Sequence, residues 1–381
     1  MDLELTQAQL DMQKLARDFA EKDLLPGVVE RDEKGEFPLE LFKKFGKTGA
    51  YGYPHAEAYG GLGGSYVGYA LAVEEISKVD ASFGIAFSVD TSLYGGSIVN
   101  SSAPDEIKKK FLAPIAYGEK IGSFGLTEHT AGSDAAGCKT VATQQEDGSW
   151  IINGSKCFNT NGPLADFTVI YSLTDPALGT KGMAAFVVEK GTPGFTVGKV
   201  ENKMGIRCAQ VSDMHLDNVH VPAENMIAPP GKGFQLAMKT LDGGRIGVAA
   251  QGLGIAEGAF EIARKYMMER QQFGKPICKQ QYLAFKMAEL QTKIEAARLL
   301  LYRAALAKDT GKPYSVPAAM AKLTCTNVAM EVTTEAVQML GGNGFMKDYN
   351  VERMMRDAKI TQIYEGTNEI QKLVISGPIF R

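Results

Sequence analysis

The stretch Gln362-Ile363-Tyr364-Glu365-Gly366-Thr367-Asn368-Glu369-Ile370-Gln371 lies near the C-terminal end, between two runs of apolar, helix-forming residues. In its middle stands one carboxylate, Glu365, followed by a Gly-Thr step. The chemistry at stake is that of a single carboxylate, and two readings are open. The stretch is an ordinary helix break with a capping threonine, or the break exists to hold Glu365 over something. Taken alone, the ordinary break is favoured. Other patterns that could do chemistry read less well. Gly60-Gly61-Leu62-Gly63-Gly64 lacks the Gly-Lys-Ser/Thr ending and the preceding strand of a phosphate loop, and is expected to be a flexible connection. The "GLGIAEG" run from Gly252 has no strand before it and sits in a helical pattern, so it reads as helix packing rather than a dinucleotide fingerprint. Cys138, Cys157, Cys208, Cys278 and Cys325 form no C-x-x-C pair. That argues against structural zinc or a disulfide framework and for buried free thiols; no metal site is expected.

A chain of 381 residues has room for several packed layers. Hydrophobic residues make up 45% and charged residues 22%, a globular balance. A net charge of -3 gives no electrostatic case for nucleic acid, and no apolar run is long enough to span a bilayer. The opening MDLELTQAQLDMQKLARDF shows no signal-type apolar core, so a cytoplasmic location is expected. Thr6 can cap a first helix. Residues 1–119 read as helical, with apolar residues at helical spacing in Leu41, Phe42 and Phe45, and again from Val67 to Val73. Residues 120–230 switch to short β-rich runs such as "FTVIYSL" and "GMAAFVVE", read as an antiparallel β domain. Residues 231–381 return to long helices with apolar stripes, the pattern of an antiparallel bundle. The fold class is α+β: a helical domain, a middle β domain, and a C-terminal four-helix bundle.

Five spaced motifs, "GLTEHTAGSD" from Gly125, "NGSKCFNTNG" from Asn153, "ERQQFGKP" from Glu269, "QMLGGNGF" from Gln338 and "IYEGTNEIQ" from Ile363, occur in an order that resembles the acyl-CoA dehydrogenase family from end to end. "LDGGRIGVAAQGLGIAEGAF" is similar to its short-chain, butyryl-type branch. The resemblance implies FAD as cofactor, an acyl-CoA substrate, an electron-transfer flavoprotein as acceptor, and a homotetramer built as a dimer of dimers. It also implies removal of a proton from Cα of a thioester by a carboxylate while Cβ loses a hydride. A carboxylate is a weak base for a C–H bond, and suffices only in a dry site whose hydrogen bonds stabilise the enolate-like transition state.

On that resemblance Glu365 matches the catalytic glutamate. Tyr364 would pack beside the thioester, Gly366 would let backbone approach it, and Thr367 and Glu369 would open a helix facing FAD. In some relatives the base comes instead from the long helix after the β domain; the matching position here is Gly244, which leaves no second candidate. Leu126 and Thr127 would line the flavin, Phe158 would cover it and Thr160 would reach its N5. Ser133, Asp242 and Arg245 would contact the CoA portion. Arg270 and Phe273 would reach the FAD of a neighbouring subunit, with Gln281, Gln338, Gly341 and Gly342 completing that site. The sequence departs from the family pattern at Asn159 and at His129-Thr130, which bears on substrate contacts.

Asp90, in Phe87-Ser88-Val89-Asp90-Thr91-Ser92, falls where short-chain relatives build the acyl pocket. Three roles are open for it: solvated and bonded to Thr91 or Ser92, receiving a polar acyl group, or acting as a second base. The last would suit a cyclohexane- or cyclohexene-carboxyl-CoA dehydrogenase with 1,4-elimination. Two further alternatives are an oxidase on the same fold and a non-catalytic CoA-binding protein. Acyl length and physiological direction do not follow from the residues.

Overall fold

The computed structural model describes residues 4–380. The chain begins with helices α1 (Gln7–Phe19), α2 (Val28–Lys34), α3 (Leu39–Gly46), α4 (Tyr66–Ser77), α5 (Ala81–Ser88), α6 (Gly96–Asn100) and α7 (Asp105–Ala116). Their starts carry the expected chemistry. Thr6 and Gln9 form a reciprocal capping box on α1, the Ser65 hydroxyl accepts from Gly68 N–H on α4, and Asp80 accepts from Ser82 and Phe83 N–H on α5. Between α5 and α6 the helix widens into a π-helical segment over Val89–Gly95, which turns its side chains out of the register a plain α-helix would give them.

The middle of the chain forms strands β1 (Gly122–Gly125), β2 (Val141–Gln144), β3 (Trp150–Thr160), β4 (Phe167–Leu173), β5 (Met183–Glu189), β6 (Phe195–Val200), β7 (Val211–Val221) and β8 (Met226–Ala228). They make one sheet in the order β6-β7-β3-β2-β4-β5-β8, with β1 on β4. The sheet is mixed, not purely antiparallel as the sequence suggested. β1 runs parallel to β4, Gly122 opposite Phe167 and Gly125 opposite Ile170, and β2 meets β4 in parallel at Val141 and Leu173. A four-residue strand whose partner lies some 45 positions away leaves no hairpin signature in the sequence. The β3–β7 ladder shifts register between Lys156 and Asn159, where Phe158 takes a left-handed φ of 57°. Such a bulge re-aims a side chain.

Long helices then return: α8 (Gly233–Glu269), a two-residue hairpin of β9 (Gln271–Gln272) and β10 (Lys275–Pro276), α9 (Gln281–Asp309), α10 (Ser315–Leu340), α11 (Val351–Thr361) and α12 (Asn368–Ile379). The two helical regions share one core. Tyr69, Phe83 and Phe87 from the first pack with Ile246, Leu253, Leu301 and Ala329 from the second. α4 is buried on every side, Glu74 and Glu75 included, so it is an internal strut. The Gly60–Gly64 cluster is not a flexible connection either. A Cβ on Gly61 would strike His55 backbone, and one on Gly64 would lie 2.5 Å from the Tyr53 ring. These glycines exist for close packing.

Candidate active site

Glu365 sits between α11 and α12 with φ 53°, followed by Gly366 at φ 90°. A non-glycine residue held there costs about 1–3 kcal/mol, so the surroundings must enforce it. Tyr364 donates its hydroxyl to Gln251 Oε1 of α8, and Gln251 Nε2 donates to Ala81 O of α5 at 2.9 Å. On the other side, Gln371 Nε2 donates to Gly366 O at 2.8 Å, and the Thr367 hydroxyl caps α12 by accepting from Ile370 N–H. The capping role read from the sequence for Thr367 is therefore present. Glu369 is exposed in the first turn of α12.

Glu365 is partly accessible as a residue, yet both carboxylate oxygens are closed off from solvent and have no hydrogen-bond partner. Burial pushes its pKa up to about 7, against the opposing pull of Lys322 on α10 and Arg245 on α8. Gly244 lies directly beneath. A Cβ there would collide with Glu365 Oε2 and stand 2.8 Å from Leu93 Cδ2. Nearby on α4 and α5, the Tyr69 hydroxyl and Ser88 Oγ are 2.8 Å apart and pack against Gly247. Among the described residues, the amides of Glu365 and Gly366 donate to no acceptor, so two N–H groups are available beside the carboxylate.

Asp242 and Arg245 do not stand apart as a surface pair. Arg245 Nη1 meets Asp242 Oδ1 at 2.5 Å, Arg245 is buried, and Ser315 Oγ donates to the same Asp242 oxygen at 2.9 Å. Of the two, Arg245 acts on the Glu365 carboxylate through its charge. Ser133 is exposed, in the loop after β1, and has no contact with this group.

Asp90 requires a correction. It is neither solvated nor bonded to Thr91 or Ser92. It is fully buried, and its Oδ1 accepts from Gly122 N–H at 2.8 Å and from Asn161 Nδ2 at 3.3 Å, leaving Oδ2 unpartnered. Burial drives its pKa well above the usual carboxylate range. The π-helical segment sends Leu93 toward Glu365 and Asp90 toward the β domain, so Asp90 joins the first helical region to the start of β1 and the end of β3.

A second cluster lies where β1 and β3 run side by side. Cys157 N–H donates to Thr127 O at 2.9 Å, bringing Leu126 and Thr127 next to Phe158 and Thr160. Beneath them a buried ion pair that the sequence reading missed, Glu128 with Lys156 at 2.7 Å, fixes both segments, and Glu128 also accepts from Thr140 N–H and Lys139 N–H. Phe158 is 67% exposed, and the Thr127 and Thr160 hydroxyls have no protein partner among the described residues. A third feature is a groove of about 550 Å³ lined by Arg270, Gln338, Gly341 and Gly342, together with Tyr266 and Asn343. Arg270 forms no ion pair among the described residues, and nothing lies within 4 Å of a Cβ built on Gly341 or Gly342. Phe273, at the hairpin tip, and Gln281, at the start of α9, lie outside that groove.

The acyl-CoA dehydrogenase N-terminal, middle and C-terminal domain models match residues 6–119, 123–219 and 231–379. The chain belongs to the acyl-CoA dehydrogenase family. It is 54% identical over 381 residues to a short-chain specific acyl-CoA dehydrogenase of Clostridium acetobutylicum, covering 100% of both. It superposes on butyryl-CoA dehydrogenase from Megasphaera elsdenii with a TM-score of 0.98 at 51% identity, covering 100% of both chains. A chain from the structural work on the electron transferring flavoprotein of Acidaminococcus fermentans and electron bifurcation gives 0.98 at 50%, again covering 100% of both. The protein is thus a flavin-dependent acyl-CoA dehydrogenase, an oxidoreductase whose cofactor is FAD. The residues present fit that group: an unpaired guanidinium over an open glycine turn suits phosphate, and an uncovered ring beside two unpartnered hydroxyls suits a flavin edge. Among the described residues no helix is long and apolar enough to cross a membrane.

Proposed function

We propose that Glu365 removes the α-proton of a short-chain acyl-CoA, giving the 2-enoyl-CoA. The observation that carries this is the pair of Glu365 oxygens enclosed without a hydrogen-bond partner beside two free amides. A carboxylate in water is solvated and too weak for a C–H bond. Stripped of water and of donors, it is a stronger base, and its proton affinity sits near working pH. The amides of Glu365 and Gly366 would donate to the thioester oxygen and stabilise the charge that develops on it. When bound, FAD supplies the acceptor for the hydride that leaves Cβ. The chain's own part is to hold Thr127, Thr160 and Phe158 on one side of the substrate and Glu365 on the other.

Short acyl chains are supported by the close relatives and by the crowding of Leu93 and Tyr69 around Gly244 and Gly247. An electron-transfer flavoprotein is the acceptor we favour, given the relation to the Acidaminococcus chain, and a homotetramer is the assembly we propose from the family resemblance. The test is Glu365→Gln, assayed by anaerobic bleaching of the flavin with butyryl-CoA. The variant should keep its flavin and lose at least a hundredfold in rate. Turnover within about tenfold of wild type, roughly 1.4 kcal/mol of barrier, would show that another group is the base. In wild type the rate should rise with pH through about 7, because only the ionised carboxylate accepts the proton.

A further inference from the structure

Lys322 lies in the middle of α10 and is wholly shut away from solvent, with Ala318, Ala321, Cys325 and Ala329 buried on the same stretch of helix. An ammonium in such surroundings is costly unless its hydrogens are used. Nζ donates to Gly366 O at 2.9 Å and to Asn368 Oδ1 at 2.9 Å. One turn further along, the Thr326 hydroxyl is 3.1 Å from Asn368 Nδ2, and Asn327 Oδ1 accepts from Asn368 Nδ2 at 2.9 Å. α10 therefore offers three polar side chains as a seat for the residues that follow Glu365.

That seat meets the strained part of the chain. Glu365 and Gly366 are consecutive left-handed residues, and Gly366 O is gripped from two sides, by Lys322 and by Gln371. A carbonyl fixed in this way keeps the turn from relaxing and holds the neighbouring amides in one orientation. The charge matters as well. The ionisable groups that act on Glu365 are Lys322 from α10, Arg245 from α8, Tyr69 from α4 and the adjoining Tyr364, and of these the two cations favour its ionised form. Lys322 in turn is pushed down by burial and Arg245, and pulled up by Glu365 and Glu369.

We propose that Lys322 is a positioning residue for Glu365: holding Gly366 O and Asn368 locks the left-handed turn, and its positive charge favours the carboxylate form of the base. This rests on the reading of Glu365 as the base, and the test separates the two. Lys322→Met removes donor and charge; Lys322→Gln removes the charge and keeps a donor. Both are compared with wild type and Glu365→Gln in two measurements: kcat against pH with butyryl-CoA, and the protonated-carboxyl infrared stretch of Glu365 against pH. In both Lys322 variants the ascending limb and the infrared titration should move to higher pH by about one unit, a tenfold change in ionised fraction below the limb. Lys322→Met should in addition lower the high-pH plateau more than Lys322→Gln does. Limbs and titrations unchanged from wild type in both variants overturn the proposal. So does failure of both to accumulate as folded flavoprotein, since the lysine would then serve the fold rather than the turn. If instead Glu365→Gln retains the limb and the infrared band, the reading of Glu365 itself is wrong.

Discussion

Asp90 accepts from the first amide of β1, which leads into Leu126 and Thr127, and from Asn161 just beyond β3, which carries Phe158 and Thr160. One buried carboxyl thus ties the first helical region to the flavin-side strands. Its folded pKa is raised by burial, so its contribution to stability is full below its unfolded pKa and is lost as pH rises through the folded one. Asparagine cannot ionise and keeps an acceptor for Gly122 N–H. Melting temperatures of wild type and Asp90→Asn measured across the neutral and alkaline range should therefore converge or cross in favour of the variant as pH rises. A pH-independent difference would mean that Asp90 is not protonated in the fold. Asp90→Ala leaves the Gly122 amide unpaired and should cost about 1–3 kcal/mol. Asp90→Asn should alter rates on butyryl-CoA and cyclohexenecarboxyl-CoA in the same proportion. Selective loss on the ring substrate would instead support the second-base role.

At the scale of elements, α8 is the part on which the site depends most. It brings Gly244 under Glu365, Arg245 beside it and Gln251 to the Tyr364 hydroxyl. A glycine inside a helix costs about 1 kcal/mol relative to alanine. In Gly244→Ala that gain is offset by crowding at Leu93 and Glu365, so the thermal melt should change little while the new methyl drives Glu365 from its place. A displacement of about 1 Å at a reacting group can cost a hundredfold in rate. A drop of that order in kcat with an unchanged melt is expected; near-normal turnover would show that Glu365 has slack. Much of this element was legible beforehand. The length and apolar stripes of α8, α9 and α10 and the Thr6 and Thr367 caps follow from local residue types, and the empty position at Gly244 from the family resemblance. What surrounds Glu365 does not. Lys322, Tyr69 and Leu93 arrive from three different helices, and Leu93 replaces Asp90 there because of a π-helical widening that no residue pattern announces. Lys322 did leave a trace, a lone cation on an apolar helix face. Glu128 and Lys156 carry no local signal of their pairing, because they lie 28 positions apart and each sits among polar neighbours in sequence. The parallel β1–β4 pairing was hidden for a similar reason: register between distant segments is set by the packed whole.

The molecule as a whole presents a surface that one copy leaves unfinished. Phe273 is 92% exposed at the tip of the β9–β10 hairpin, with a left-handed φ of 54°. Tyr282, Phe285 and Phe345 are also largely uncovered, at 73%, 60% and 79%. Single exposed apolar residues are ordinary; a strained, 92% exposed phenylalanine three residues from an unpaired Arg270 is better explained by a partner that covers it. The groove holding Arg270, Gln338, Gly341 and Gly342 lies on that same region of the helical bundle. On the proposed assembly, the hairpin of one subunit reaches the FAD of another, so cofactor and subunits should be released together. Wild type should sediment as a tetramer with full flavin. Arg270→Ala, which removes the phosphate partner, should lose flavin sooner on dialysis in mild chaotrope. Phe273→Asp, which places a charge in the contact, should shift sedimentation toward smaller species and lose flavin in step with that shift as the protein is diluted. Flavin retention equal to wild type in Arg270→Ala would remove that residue from the cofactor site. A Phe273→Asp variant that falls apart while holding its flavin would show that each subunit binds its cofactor alone.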